Sequence, residues 1–260
     1  MLSIIALIGL VLFLNCSVGA IVANRIKNTS VVDMFWSLGP CLVSWVLYFM
    51  YGTHVVQLIF SCLISIWALR LGVFFLFTRI LKGKRDVRYT KIEEKWSGNK
   101  SIKVFGHFYM QGSLQFLLCA VFIPLYLNKT FVIADIHKGA FILFLFSLLG
   151  EIFADSQLLR FKESGKKGVC REGLWGICRH PNYFFECLLW VSLAMACEGL
   201  IYEYVAWLSP LSIFIIMRFI TGPYTEKVSL ERRGESYMEY QREVPMFFPS
   251  VKLIIKKVFL

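Results

Sequence analysis

The chain has 260 residues, 57% of them hydrophobic and 16% aromatic, with a formal net charge of +11. Its mean hydropathy of +0.64 is too high for a water-soluble domain, so the positive charge is not a nucleic-acid signal. Apolar runs approaching the length of about twenty residues that spans about 30 Å of hydrocarbon recur along it. They are Leu2–Val22, Val31–Tyr51, His54–Phe77, Phe108–Tyr126, Gly139–Leu159, Phe184–Gly199 and Tyr204–Ile220, which predicts seven spans with the sixth short. All but three of the 28 Lys and Arg residues (Arg70, Lys129 and Lys138) fall in Arg25–Lys27, Arg79–Lys103, Arg160–Arg179 and Arg218 onward. In a seven-span reading those four stretches share one side, so the positive-inside rule predicts an external N-terminus and a cytoplasmic C-terminus.

The first span has no basic segment before it and a second span follows closely, so it reads as a helix rather than a signal peptide. Thr29 or Ser30 is placed to cap the second span. Asp33 then stands either in its first turn, where the helix dipole favours a carboxylate, or against the bundle interior. The third span carries Arg70 about nine residues from its basic end, too deep to snorkel easily, so it is expected to pair with Asp33 or with a bound anion. In the loop Arg79–Lys103, Tyr89, Ile92 and Trp96 recur at helical spacing, which predicts an amphipathic segment on the membrane face. Gln111 and Gln115 weaken the fourth span.

Toward the end of the fifth span, Glu151 and Asp155 share a helix face, with Gln157, Arg160 and Lys162 just beyond. Structural pairing with Arg179 or Arg218 is one reading of the two carboxylates; a polar cavity holding a cofactor is the other. Next comes GLWGICRHPNYFFE, residues 173–186. Pro181 suits the first turn of a helix and pushes His180 out of the α region. Asn182 and Tyr183 then enter the helix, and Glu186 lies one turn deeper, where an unpaired carboxylate is costly. An interfacial belt of Arg and Tyr anchors would explain all of this except Glu186. After the last span, Glu226–Glu243 reads as a polar helix with Tyr237, Tyr240 and Arg242, and Val251–Leu260 as a short basic amphipathic tail. The eight cysteines and four histidines form no ligand pattern, so no metal site is expected.

The pattern GLW-x3-RHPNY-x2-E resembles the C-terminal half of steroid 5α-reductase-like membrane proteins, relatives of sterol reductases and isoprenylcysteine carboxyl methyltransferases. Gly150–Lys162 and GESYMEYQREVPMFFP are similar to the segments that flank this motif there, and VDMFWSLG and WALRLG look like a bacterial-type branch of the group. The resemblance implies an all-α polytopic helix bundle, residues 1–260 forming one integral membrane domain. Residues 1–127 would hold the N-terminal spans and basic loop on the substrate side, and 139–260 the cofactor-binding half. It implies an elongated cofactor, NADPH or alternatively S-adenosylmethionine, held by Asp155, Gln157, Arg160, Lys162, Arg179, His180, Asn182, Tyr183, Glu186, Tyr240 and Arg242. Arg179 and Lys162 are of the type to neutralise phosphates, Asn182 to bond a carboxamide, and Tyr183 or Tyr240 to meet a ring. No GxGxxG occurs, which excludes a Rossmann site.

The expected reaction is hydride delivery to an activated double bond of a steroid, enone or isoprenoid lipid; methyl transfer to a lipid-borne acceptor is the alternative. Asp33 and Arg70 are the candidate catalytic residues; where the steroid reductases carry a Gln-Glu pair and a Tyr, this chain has only Asp33 near the former place and Trp67 near the latter. The expected partners are the lipid-like substrate and membrane lipids. The expected setting is the inner membrane of a bacterium or the endoplasmic reticulum of a eukaryote.

Overall fold

The computed structural model describes residues 1–259, and every regular element among them is a helix. In chain order these are α1 (Leu2–Ile26), α2 (Val32–Tyr51), α3 (Val55–Phe75), α4 (Val87–Glu93), α5 (Lys100–Leu118), α6 (Phe122–Leu127), α7 (Asp135–Glu163), α8 (Pro181–Met195), α9 (Glu203–Ala206), α10 (Leu208–Ile215), α11 (Gly222–Arg233), α12 (Glu235–Glu243) and α13 (Val251–Phe259). Among the described residues, six helical stretches are long and apolar enough to cross a membrane: Leu2–Ile26, Thr29–Tyr51, Val55–Ile80, Lys100–Leu127, Asp135–Glu163 and Glu203–Arg233. The expected short sixth span is shorter than the others by a wide margin. With 15 residues α8 is about 22 Å long, well under the hydrocarbon thickness.

Two compact units form, one from Met1–Ala134 with Cys197–Ser212, the other from Asp135–Ala196 with Ile213 onward. In the first unit, α1, α2, α3 and α5 pack on one another. Pro40 lies inside α2 and has no N–H for the Trp36 carbonyl. Gln115 on α5 supplies the missing donor, its Nε2 lying 2.6 Å from that carbonyl and 3.2 Å from that of Phe35. The glutamine that weakens the fourth span as a sequence therefore repairs the second. Elsewhere Ser44, Ser61 and the Tyr126 hydroxyl bond one another at 2.7–3.3 Å, holding α2, α3 and α6 together through satisfied hydroxyls.

Local chemistry at the α1–α2 turn differs from the sequence expectation. Asn28, not Thr29 or Ser30, supplies the capping side chain: it accepts from Ser30 N at 3.1 Å and opens a short 3-10 turn before α2. Tyr89, Ile92 and Trp96, expected on the membrane face, instead pack against Ala20, Ala23, Val104 and Phe108.

Asp33 stands in the first turn of α2, and its partner is not the one expected. Arg79 Nη1 lies 2.5 Å and Arg88 Nη2 3.1 Å from Oδ2, and the Tyr89 hydroxyl donates to Oδ1. Gly72 faces Ser37 and Met34 of α2, so Arg70, rotated from it by about 200°, sits on the far side of α3 from that contact. Arg79 lies in the π-helical stretch that continues α3, Leu76–Ile80. Arg79 and Arg88 also hold Asp86, at 3.1 and 3.0 Å. Burial pushes the Asp86 carboxyl up, but the charge and hydrogen bonds of Arg88, with the charge of Arg79, overcome it and hold the group well below the usual carboxylate range. Burial first, then the Asp33 charge, push the Tyr89 phenol well above its ordinary value.

In the second unit α7 and α8 run antiparallel, as the pairings Asp155–Asn182 and Gly150–Phe185 require. A Cβ on Gly150 would run into the Phe185 ring, so the missing side chain is what lets the two helices approach. Trp175 Nε1 donates to the Ala154 carbonyl at 2.8 Å and pins the connecting turn to α7.

Candidate functional site

The site is built on the residues leading into α8. Pro181 occupies the first turn of the helix, as expected, and His180 before it lies outside the α region, with φ −132° and ψ 63°. Residues 177–180 lie beside 245–250: Arg179 N donates to the Pro245 carbonyl at 2.9 Å, His180 N to that of Met246 at 3.1 Å and Ser250 N to that of Ile177 at 3.0 Å. This pairing brings the end of the chain onto the mouth of α8.

Beside it stands Glu226 on α11. Its Oε1 accepts from Arg179 Nε at 2.7 Å and lies 3.1 Å from His180 Nε2; its Oε2 accepts from Arg179 Nη2 at 3.0 Å and Gln241 Nε2 at 2.9 Å. Arg179 Nη1 donates further, to the carbonyls of Gln241 and Val244 at 2.9 and 2.5 Å. With 10% side-chain exposure on each partner, this is a largely buried bidentate pair. Burial lowers the His180 pKa below its ordinary value, against the raising influence of Glu226. Facing a carboxylate, the ring carries a proton on Nε2. Tyr183 stacks on it with ring centroids 4.9 Å apart and planes 6° from parallel.

A second group lies along α7 and α8. Asn182 Nδ2 approaches Asp155 Oδ1 at 3.4 Å, while Asn182 Oδ1 is buried with no hydrogen-bond partner. Deeper in α8, Glu186 is 5% exposed and accepts from Trp190 Nε1 at 2.9 Å. Glu151 is buried as well, at 2%.

Several expected site residues turn out to be committed to the fold. Gln157 Oε1 accepts from Leu174 N at 3.0 Å and backs the left-handed Gly173, φ 53°, where a Cβ would strike the Gln157 side chain. Tyr240 is 2% exposed and donates to the Trp175 carbonyl at 2.5 Å, with burial raising its pKa, so its hydroxyl and ring are both occupied. Arg179, expected to meet phosphates, has its donors spent on Glu226 and two carbonyls. Arg160, Lys162 and Arg242 are exposed. Asp33 and Arg70 belong to the other unit. Glu226 and Gln241 are neighbours of the RHPNY segment that sequence reasoning missed. The available signal was an acidic residue one turn past Gly222-Pro223, in a chain whose RHPNY motif lacks a carboxylate at its basic end.

A family model described as a protein of unknown function, DUF1295, matches residues 20–244. An uncharacterized protein of Schizosaccharomyces pombe is 26% identical over 86% of this chain and 74% of its own length. No solved structure matches the chain.

Proposed function

The chain belongs to the DUF1295 family, and we propose that it is a membrane-embedded, NADPH-dependent reductase of an activated carbon–carbon double bond in a lipid-like substrate. The observation that carries this reading is Asn182. A buried amide oxygen without a donor is costly, by about 1–3 kcal/mol, and is retained where a ligand completes it. A primary carboxamide, such as that of a nicotinamide, offers the N–H the oxygen lacks, so the residues present fit the cofactor. When bound, the dinucleotide supplies the hydride.

The chain's own residues would do the rest. Asn182 orients the carboxamide, and Asp155, bonded to its Nδ2, holds the amide in that orientation. His180, with a proton on Nε2, props the Tyr183 ring from behind. Exposed Arg160 and Lys162, with half-buried Arg218, provide cations for phosphate groups, a role Arg179 cannot fill while it holds Glu226. The apolar walls of α7 and α8 exclude water. The resemblance of the RHPNY segment and of VDMFWSLG and WALRLG to steroid 5α-reductase-like proteins supports the same reading, with the basic end of the bundle in the cytoplasm.

Thermal unfolding of the detergent-solubilised protein with NADPH tests it. NADPH raises the Tm through mass action. Asn182→Leu removes the acceptor that the carboxamide would meet, so it abolishes that rise, while Lys252→Ala, in the C-terminal helix, leaves the rise intact. Stabilisation by S-adenosylmethionine with NADPH inert would assign the site to methyl transfer. A melt that neither ligand moves would overturn the enzyme reading.

A further inference from the structure

The last helix has an outward apolar face that crossing the membrane does not explain. With nine residues, α13 is about 14 Å long, far too short to span. Yet Val251 is 68% and Ile255 53% exposed, with Ile254 beside them at 38%. Those positions share one face; Leu253 points the other way, onto Tyr237, Tyr240 and Val244. Lys252 and Lys256, both exposed, line one flank, and no acidic residue occurs from Val251 onward. Phe248, just before the helix, is 62% exposed.

We propose that α13 is an interfacial clamp that seats its apolar face in a bilayer surface rich in anionic phospholipid, and so steadies the mouth of α8. The occupant follows from the residues. The apolar face suits the boundary between headgroups and acyl chains, and lysines on the flank reach anionic headgroups. The chain is already anchored in a membrane by its long apolar helices. The coupling follows from the backbone. Ser250, which caps α13 by accepting from Leu253 N at 3.4 Å, also donates its own N–H to the Ile177 carbonyl at 3.0 Å. Seating α13 therefore fixes residues 245–250 against 177–180, the segment that presents Arg179 and His180 to Glu226.

The test is hydrogen exchange on the full chain in nanodiscs of phosphatidylcholine alone and with about 30% phosphatidylglycerol. In the anionic discs the amides of Leu253–Lys256, and those of Arg179 and His180, exchange about tenfold more slowly, since each lysine near an anionic surface strengthens seating several-fold. The difference disappears in K252E/K256E. It also shrinks for the wild-type chain in about 0.5 M salt, which keeps the test decisive if the variant fails to fold. Equal exchange in the two lipid compositions, or a lipid effect undiminished in salt, overturns the proposal. Slowing confined to α13, with Arg179 and His180 unchanged, overturns the coupling to the site.

Discussion

All four acceptor positions of the Glu226 carboxylate are filled, by Arg179 twice, by His180 and by Gln241. A saturated carboxylate holds structure and has no lone pair left for a substrate proton. Removing one partner strands the other's charge in a largely buried site, so Glu226→Gln or Arg179→Ala should each cost about 3–5 kcal/mol. Combining the two should cost clearly less than the sum of the singles, which chemical unfolding in detergent would measure. His180 adds a pH dependence. Its folded-state pKa lies below the ordinary value of 6.5, so the unfolded chain takes up its proton first as pH falls. The stabilisation is present above about pH 6.5 and is lost as pH drops toward the folded value. Melts at pH 7.5 and 5.5 should show a smaller fall for His180→Gln than for the parent chain.

Among the elements, the long helices depend on a few small or polar residues that carry no apolar signal. Gln115 replaces the hydrogen bond that Pro40 removes from α2. Gln115→Leu should therefore cost about 1–3 kcal/mol through a stranded Trp36 carbonyl. In a Pro40→Ala background, where the helix can satisfy that carbonyl itself, the same change should cost little, which equilibrium unfolding of both variants would reveal. Gly150 acts by absence. Gly150→Val places methyl groups where the Phe185 ring lies, and should lower stability by about 1–3 kcal/mol or more as α7 and α8 separate. A shift in Trp175 fluorescence would accompany it, because that indole bonds the Ala154 carbonyl on α7. At the Asp33 node, Arg79, in the π-helical stretch that continues α3, meets the carboxylate rather than Arg70.

For the whole molecule, the charge asymmetry predicts one side for Lys91 and Lys167 and the other for Lys129. Labelling Lys91→Cys, Lys129→Cys and Lys167→Cys with an impermeant thiol reagent, in a background lacking other reactive cysteines, should modify the first and third from one side only. Modification of Lys129→Cys and Lys167→Cys from the same side would overturn the seven-span reading, because the fifth apolar helix, α7, separates those two positions. The membrane class, the all-helical architecture, the shortness of the sixth apolar run and the entry of α8 at Pro181 were legible in the residues themselves. Each is a local property: hydropathy over about twenty positions, or a ring that fixes one φ angle. The grouping of Asp155 with Asn182 and of His180 with Tyr183 was legible in part, since helix spacing limits which side chains share an end of a bundle. Which polar groups serve the fold and which are left for a ligand was decided only by tertiary structure. Arg179 meets Glu226 across 47 positions of sequence, and Tyr240 meets the Trp175 carbonyl across 65. A charged side chain reads the same in sequence whether its donors are spent or spare; its satisfaction depends on partners that only folding brings within about 3 Å.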